Sequence, residues 1–303
     1  MILIRYVLNQ NNLNIVIGIP AYNEEKNIGS IILKLKKITD KIIVCDDGST
    51  DLTNDISKEM GATVINHNQN LGYGAAIKSL FLKAKEIDAD IFVTFDGDGQ
   101  HTENDIEKIL EPIKQNKADI VIGSRFLSKN TDIPKYRKVG IKAITSLANS
   151  SIKTKLTDSQ SGFRSYNKKA LEVINPSEQG MSVSTEILIK ADKEGLKISE
   201  VPIKISYEGQ TSTHNPVSHG ASVIAGTLKF VSVEHPLKFY GIPGLALLSI
   251  GLFFGIWTLQ LFDETRQIIT NIALIGIGTT IIGTMLILTS LILFSMTIIV
   301  KQK

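Results

Sequence analysis

Three short acidic segments of the 303-residue chain have the residue types and spacing of a site for a cation and a phosphate. Asp96 and Asp98 are separated only by Gly97, and Glu24 and Asp47 occur in two earlier segments. Two carboxylates at this spacing in a glycine turn can present oxygens to a hard cation such as Mg²⁺, which retains water and takes phosphate oxygens. A single Asp-x-Asp motif without other supporting motifs is more often an ordinary acidic turn. Agreement among three segments favours a cation site whose ligand is a diphosphate.

Each acidic segment follows a predicted buried strand. Apolar runs predict strands over 14–20, 41–45, 62–66, 91–95 and 119–123, and helical spacing predicts helices over 24–37, 51–60, 73–86 and 103–115. This alternation predicts an α/β fold with a mostly parallel sheet covered on both faces. Ligands of such sheets bind beyond the carboxyl ends of the strands. We therefore expect the acidic segments to meet at one edge of the sheet.

The C-terminal part of the chain contains two apolar stretches without charged residues, 239–262 and 268–300. Each exceeds the roughly 20 residues that cross the hydrocarbon core of a bilayer. The link between them is so short that the two helices must form an antiparallel hairpin. The sequence thus predicts an α/β domain over 1–220, an interfacial helix over 221–238 and two transmembrane helices over 239–303.

Lysines flank the hairpin on both sides. Lys229 and Lys238 precede it and Lys301 and Lys303 follow it, whereas the link between the helices contains a single arginine. Positively charged flanks remain in the cytoplasm. The expected location is the cell membrane, as a multi-pass protein with its α/β domain on the cytoplasmic face. The single cysteine, Cys45, cannot form an internal disulfide, which agrees with a reducing compartment.

The overall composition excludes several classes of protein. A hydrophobic fraction of 43% excludes a disordered chain. A net charge of +3 does not provide the clustered basic face of a nucleic-acid-binding protein, so no nucleic acid partner is expected. The apolar stretch at the N-terminus is too short for a signal peptide. Gly251 and Gly255 form a small-xxx-small pair in the first apolar stretch, and a homo-oligomer is left open.

Six motifs occur between about residues 15 and 207. They are PAYNEE from Pro20, DDGSTD from Asp46, NLGYGAAI from Asn70, DGDGQH from Asp96, GSRF from Gly123 and SGFR from Ser161. In this combination the chain resembles the family 2 glycosyltransferases of the GT-A fold, specifically the polyprenyl-phosphate (dolichyl-phosphate) sugar synthases. The resemblance implies a GT-A nucleotide-diphospho-sugar transferase fold. It also implies that the α/β domain is the catalytic domain.

The resemblance further implies which residues bind the nucleotide-sugar donor. The expected nucleotide-binding residues are Pro20, Tyr22, Glu24, Cys45 and Asp47. The diphosphate is expected against Asp96, Gly97, Asp98 and Arg125, and the metal ion, Mg²⁺ or Mn²⁺, on Asp98 and Gln100. The glycines of NLGYGAAI would allow the backbone to approach the nucleotide closely.

Arginines are expected to complete the catalytic set. Arg125 and Arg137 match positions at which the family contacts donor or acceptor phosphate, and the planar fork of arginine suits that contact. With Asp98 they are the predicted catalytic residues. A solvated or lipid-facing Arg137 is the alternative. Arg164 and Glu186 are weaker candidates that are open to a structural interpretation.

The reaction that the resemblance implies moves a hexose from a UDP- or GDP-hexose to dolichyl (polyprenyl) phosphate in membrane lipid, with inversion at the anomeric carbon. The related mannosyl-phosphate synthases usually carry an arginine after the strand near 201–203, where this chain has 206–210 without arginine, which argues against mannose. The stretch 212–220 resembles archaeal dolichyl-phosphate hexosyltransferases that start N-glycan assembly. What replaces the arginine near Glu208 is open, with His214 and His219 as candidates.

Three other functions compete with this one. A processive polysaccharide synthase would carry a Gln-x-x-Arg-Trp motif, but the single tryptophan, Trp257, lies in the hairpin. A soluble nucleotidyltransferase would carry a glycine-rich N-terminal loop and would have no use for a hairpin. The remaining alternative is a non-catalytic scaffold that binds nucleotide-sugars in a membrane glycan assembly line. The intact acidic pair and Arg125 argue against it.

Overall fold

The structure is a computed structural model that describes residues 13–128, 133–205, 231–233 and 235–301, with single positions 225 and 228. The chain divides into two compact units, Met1–Thr227 and Leu228–Lys303. Most of the predicted interfacial helix over 221–238 lies outside the described residues. The segment around Glu208 that contains His214 and His219 also lies outside them. The predicted domain boundaries therefore stay a prediction.

The first unit is built on a seven-stranded sheet in the order β3-β2-β1-β4-β6-β5-β7. The strands are β1 Ile15–Ala21, β2 Ile42–Asp46, β3 Thr63–Asn66, β4 Ile91–Thr94, β5 Ile120–Ser124, β6 Arg164–Asn167 and β7 Ile198–Pro202. All neighbouring strands are parallel except β6, which runs antiparallel to β4 and β5. The predicted α/β class with a mostly parallel sheet is confirmed, and β6 is an addition to the predicted strands.

Seven described helices accompany this sheet in the first unit. They are α1 Ile28–Leu35, α2 Thr53–Glu59, α3 Tyr73–Glu86, α4 Ile106–Lys114, α5 Lys135–Asn149, α6 Lys168–Val173 and α7 Val183–Lys193. Helix α3 has the predicted bounds. Helix α1 begins four residues later than predicted, because the carbonyl of Glu24 accepts the N–H groups of Asn27 and Ile28 in a preceding turn.

The core of the first unit fixes the strand ends that carry the acidic segments. Ile17 and Ile19 of β1, Val93 of β4, and Ile32 and Ile109 of the covering helices are completely buried. Each such side chain contributes about 1.5 to 3 kcal/mol on burial. The parallel ladder between β1 and β2 extends to their carboxyl ends. The segments that follow these strands therefore begin side by side.

The second unit contains two long apolar helices, α8 Ile242–Thr265 and α9 Thr270–Lys301. Both are long and apolar enough to cross a membrane. Their apolar side chains are largely exposed, and Leu259 and Phe253 are 69% and 62% exposed. A core helix of a soluble protein would bury such side chains. This exposure favours a bilayer as the surrounding medium.

Small residues allow α8 and α9 to approach closely. A Cβ atom added to Gly251 would lie 2.7 Å from the backbone nitrogen of Thr280, and one added to Gly283 would lie 2.6 Å from that of Leu248. A Cβ atom on Gly276 would lie 3.1 Å from the nitrogen of Gly255. Gly251 of the small-xxx-small pair is therefore used for packing within the hairpin, whereas a Cβ atom on Gly255 would meet no described atom within 4 Å.

Candidate active site

Hydrogen bonds join the segments that follow β1 and β2. The side-chain oxygen of Asn23 accepts the N–H of Thr50 at 2.9 Å, and the hydroxyl of Ser49 accepts the N–H of Asn23 at 2.9 Å. The hydroxyl of Thr53 accepts the N–H of Glu24 at 2.7 Å. The PAYNEE and DDGSTD motifs therefore form one hydrogen-bonded structure at the edge of the sheet.

The PAYNEE segment also contacts the acidic turn after β4. A Cβ atom on Gly97 would lie 3.1 Å from the carbonyl oxygen of Pro20 and 3.7 Å from Cγ of Glu24, so glycine permits this approach. Burial raises the pKa of the Glu24 carboxyl, and the negative charge of Asp98 raises it further. Tyr22 is 39% exposed. The structure thus brings two of the predicted nucleotide-binding residues, Pro20 and Glu24, against the acidic turn.

The buried carboxylate of Asp47 organises the loop after β3. Its Oδ1 accepts the N–H of Leu71 at 3.0 Å, and its Oδ2 accepts the N–H of Gly72 at 2.8 Å. Nδ1 of His67 lies 2.6 Å from the same Oδ1. Asp47 therefore holds the NLGYGAAI motif against the end of β2. Its contact with a nucleotide stays a prediction.

The side chain of Cys45 is enclosed by the protein. It has no exposed surface, and its Sγ lies 3.6 Å from Nε2 of His67. Burial raises the pKa of this thiol to about 12, and the charges of Asp47 and Asp46 add to the effect. Because neither the thiol nor the backbone of Cys45 reaches the surface, its contact with a nucleotide stays a prediction.

Two side chains orient Asp96, the first acid of the turn after β4. The hydroxyl of Tyr73 donates to Oδ1 of Asp96, and Nε2 of His101 lies against Oδ2, each at 3.2 Å. Oδ1 of Asp98 accepts the N–H of Gln100 at 3.0 Å. The sequence analysis named neither Tyr73 nor His101 as site residues, although each lies within one of the six motifs.

The two acids of the turn have opposite electrostatic surroundings. Burial alone would raise the pKa of Asp96. His101 lowers this pKa through a hydrogen bond and its charge, Tyr73 lowers it through a hydrogen bond, and Arg125 lowers it through its charge. The resulting pKa lies below the ordinary value. Burial and the charge of Asp96 raise the pKa of Asp98. A nearby divalent cation would relieve this repulsion. The acidic turn therefore has the charge and oxygen donors of a site for a hard cation.

The described residues do not form a complete metal site made of protein side chains. Among the described residues, no group of three or more His, Cys, Asp or Glu side chains is arranged to hold a metal ion. Mg²⁺ is commonly bound by one or two carboxylates together with water and phosphate oxygens of the substrate. The acidic turn fits that mode of binding, in which a diphosphate supplies the remaining ligands.

Gly162 of the SGFR motif lies directly over the acidic turn. A Cβ atom on Gly162 would lie 2.5 Å from both Oδ1 of Asp96 and the Tyr73 hydroxyl. The hydroxyl of Thr94 donates to the Gly162 carbonyl at 2.6 Å. A Cβ atom would collide with both side chains, so this position of the SGFR motif requires glycine.

The two predicted phosphate-contacting arginines differ in their surroundings. Arg125 follows β5 and forms a two-pronged ion pair with Asp158, through Nε at 2.6 Å and Nη2 at 2.7 Å. The sequence analysis did not identify Asp158, although it lies three residues before the SGFR motif. Arg137 is half-buried in the first turn of α5. Its contact with phosphate stays a prediction.

Arg164 has a structural role. It is 1% exposed and donates to three backbone carbonyls, those of Ser159, Ser161 and Ser184. These bonds shape the loop that carries Asp158 and Gly162. The geometry therefore favours a structural role for Arg164 over a role in catalysis.

Glu186 also supports a loop. It is completely buried and accepts the N–H groups of Ser177 and Glu178. The next residue of that loop, Gln179, accepts the N–H of Gly74 at 2.7 Å through its carbonyl. Glu186 thus stabilises a segment that buttresses the NLGYGAAI motif.

Comparison with known proteins agrees with this arrangement. The profile of Glycosyl transferase family 2 matches residues 16–174, which include the acidic turn and β1 to β6 except for the first residue of β1. The chain belongs to glycosyltransferase family 2. The predicted membership of this family is confirmed, and the acidic motifs lie within the matched part of this glycosyltransferase.

Two similar relatives of this family 2 glycosyltransferase come from archaea. The UDP-N-acetylglucosamine–dolichyl-phosphate N-acetylglucosaminyltransferase of Methanococcus voltae is 38% identical over 69% of this chain and 90% of its own. The dolichyl-phosphate hexose transferase of Haloferax volcanii is 31% identical over 75% of this chain and 97% of its own. These similarities confirm the predicted resemblance to dolichyl-phosphate sugar synthases.

Solved structures show the same fold. The glucosyl-3-phosphoglycerate synthase of Mycobacterium tuberculosis, in complex with UDP, aligns with a TM-score of 0.60 at 21% identity, over 76% of this chain and 83% of that one. Another crystal of the same synthase contains Mn²⁺, UDP and glucosyl-3-phosphoglycerate. The predicted GT-A fold with two apolar C-terminal helices is therefore confirmed.

Proposed function

We propose that the chain transfers a sugar from a nucleotide diphosphate donor, a UDP- or GDP-hexose, to dolichyl or another polyprenyl phosphate at a membrane surface. The observation that carries the proposal is the acidic pair Asp96 and Asp98, with the charge of Arg125 acting on it. Donor and acceptor are both anions, so their reaction needs a cation site and a fixed arginine. Similarity to the dolichyl-phosphate transferases supports the acceptor class. The apolar hairpin supports an acceptor held in the bilayer.

The acidic turn would hold the cation and the diphosphate. Asp98 and Gln100 would ligate Mg²⁺ or Mn²⁺, and the crystals of the mycobacterial synthase with Mn²⁺ support this choice of ion. When bound, the cation neutralises charge that develops on the leaving diphosphate. Asp96, oriented by Tyr73 and His101, would stand beside the diphosphate and maintain the geometry of the turn.

The arginines would bring the acceptor to the donor. The second pKa of a phosphomonoester is about 6, so a polyprenyl phosphate is largely a dianion near pH 7 and attacks without a dedicated base. Arg125 and Arg137 would offset the repulsion between the two phosphates and align them. A single displacement of this kind inverts the configuration at the anomeric carbon.

The hairpin would keep the active site at the membrane. The lysines that flank it favour a multi-pass protein with its catalytic domain on the cytoplasmic face. A polyprenol cannot leave the bilayer, so an anchored enzyme meets its acceptor at the headgroup level. The product, a lipid-linked monosaccharide, would enter glycan assembly for protein N-glycosylation.

The test is a transfer assay on the full chain in detergent. Dolichyl phosphate is offered with labelled UDP-N-acetylglucosamine, UDP-glucose or GDP-mannose, in Mg²⁺ or Mn²⁺ or with a chelator. We expect one donor to label the lipid, chelation to abolish the labelling, and Asp98→Asn to reduce the rate by about hundredfold or more, as removal of a transition-state charge contact does. Full activity of Asp98→Asn with metal present would overturn the assignment. Donor binding without transfer by the native chain would favour the non-catalytic scaffold.

Asp88→Asn is the matched control for this assay. Asp88 is also an aspartate near β4, but it precedes the strand and its side chain is 76% exposed. Its φ of 52° lies in the left-handed region that asparagine adopts readily. We therefore expect Asp88→Asn to retain native activity and stability.

A further inference from the structure

We infer that Asp158 is a positioning residue, which holds the guanidinium of Arg125 in the orientation that sugar transfer requires. The inference rests on the proposed function, because it assumes that Arg125 acts on a substrate phosphate. It adds a residue that neither the motifs nor the family membership assigned. The supporting evidence comes from the geometry and burial of this pair and from the contacts at each end of it.

The ion pair between the two residues has the geometry of a fork. Oδ2 of Asp158 accepts from Nε of Arg125 at 2.6 Å and from its backbone N–H at 3.2 Å. Oδ1 accepts from Nη2 at 2.7 Å. Two parallel bonds along one edge of the guanidinium fix the plane of the group as well as its position. A single contact would leave the group free to rotate.

Burial makes this pairing obligatory. The side chain of Asp158 is completely inaccessible, and that of Arg125 is 15% exposed. A carboxylate buried without a cationic partner destabilises a protein strongly. The guanidinium is therefore held to the site by the need to balance the Asp158 charge. Lysine could not reproduce the fork, since it provides a point charge on a flexible stem.

The segment that carries Asp158 is itself held rigidly. The carboxylate of Glu200, on β7, accepts the N–H groups of Asp158 at 2.9 Å and Thr157 at 2.8 Å. The hydroxyl of Thr157 lies 2.6 Å from that of Ser124, the last residue of β5. Oδ1 of Asp158 also accepts the N–H of Gln160 at 3.2 Å. The carboxylate that orients Arg125 is thus fixed to two neighbouring strands.

The loop that carries Asp158 also packs on the acidic turn. A Cβ atom on Gly162, four residues after Asp158, would lie 2.5 Å from Oδ1 of Asp96. The same loop is joined through Thr157 to Ser124, the residue before Arg125. Asp158 therefore fixes the charge of Arg125 relative to the acidic turn.

A double-mutant cycle tests whether Asp158 acts through Arg125. The variants Asp158→Asn, Arg125→Ala and the combination are assayed for transfer to dolichyl phosphate. We expect each single variant to lower kcat/KM about ten- to hundredfold, as the loss of a hydrogen bond to a charged group does. We expect the combined variant to match Arg125→Ala within about twofold, because the two changes remove one function. Additive losses would overturn the inference.

Chemical rescue provides a second readout that a merely structural role would not affect. Millimolar guanidinium chloride is added to Arg125→Ala, in which Asp158 can bind the free cation. We expect saturable recovery of kcat in Arg125→Ala and none in the combined variant. Equal rescue of both variants would contradict a positioning role for Asp158. If Asp158→Asn fails to fold, Glu200→Gln replaces it, because the loss of the Glu200 carboxylate loosens the segment that carries Asp158. Rescue is then compared between Arg125→Ala and the double variant Arg125→Ala, Glu200→Gln. We expect the double variant to bind guanidinium more weakly.

Asp119→Asn is the matched control. Asp119 precedes β5, the strand that Arg125 follows, and its carboxylate accepts the N–H of Lys197 and the side-chain amide of Asn167, each at 2.8 Å. We expect this variant to retain native kcat. If Arg125→Ala has native activity, the proposed role of Arg125 fails. If Arg125→Ala is impaired while Asp158→Asn is native, only the inference on Asp158 fails.

Discussion

The hydroxyl of Tyr73 donates to Oδ1 of Asp96 at 3.2 Å, and this bond links the loop after β3 to the acidic turn after β4. Tyr73 is the first residue of α3, so the position of a whole helix contributes to the orientation of one carboxylate. We expect Tyr73→Phe to lower kcat about tenfold or more, since a hydrogen bond to a charged group contributes about 1.5 to 3 kcal/mol. Transfer kinetics with saturating donor measure this effect. An unchanged kcat would show that Asp96 needs no such support.

Gly162 provides a steric test of the same contact. A Cβ atom at this position would lie 2.5 Å from Asp96 and Tyr73, so Gly162→Ala must displace the acidic turn. We expect transfer activity to fall by at least about hundredfold, as misplacement of reacting groups does. Gly140→Ala is the control, because a Cβ atom there would meet no atom of the described residues within 4 Å. An alanine in the interior of α5 should raise stability by up to about 1 kcal/mol without changing activity.

The contribution of the Asp47 carboxylate to holding the loop after β3 can be measured as a loss of stability. Asp47 accepts hydrogen bonds from the N–H groups of Leu71 and Gly72, and Asp47→Asn would weaken both bonds. We therefore expect this variant to lower the free energy of unfolding by about 2 to 3 kcal/mol. Donor affinity should fall with it, as measured by titration with the nucleotide-sugar. Asp192→Asn is the control, since its carboxylate accepts one exposed N–H, that of Lys153. Equal stability of the two variants would contradict the anchoring role.

The buried thiol of Cys45 predicts a chemical behaviour. Its pKa is raised to about 12 from an ordinary value of 9.0, so it stays protonated and enclosed at pH 8. We expect thiol reagents to label the native chain very slowly and the denatured chain completely. The unfolded thiol loses its proton near pH 9, so this group's contribution to stability is present below pH 9 and is lost as the pH rises towards 12. Rapid labelling of the native protein would contradict this burial.

The sequence predicted those parts of the fold that depend on local pattern. The apolar runs of β1, β2 and β4 and the helical spacing of α3 are visible in the chain, and the acidic segments that follow the strands could be placed at one edge. Strand β6 could not be predicted in this way. Its residues Arg164–Asn167 are mostly polar, and Arg164 is buried because distant carbonyls satisfy its donors.

The contacts that orient the site depend on pairs far apart in the sequence. Asp158 lies 33 residues after Arg125, and Asp96 lies 23 residues after Tyr73. The motifs identified Arg125 and Asp96 as site residues, because the family resemblance implies their functions. Their partners become apparent only when the sheet brings β4, β5 and the SGFR loop together.

The central claim is the transfer of a single sugar to a polyprenyl phosphate, and the products of one incubation test it most directly. The full chain in detergent is incubated with dolichyl phosphate, Mg²⁺ and a nucleotide-sugar that the chain binds, and the lipid and nucleotide products are identified by mass spectrometry. We predict dolichyl phosphate carrying one sugar residue, with one nucleoside diphosphate released for each lipid formed. Release of nucleoside monophosphate, or a bound donor that yields no lipid product, would contradict the claim.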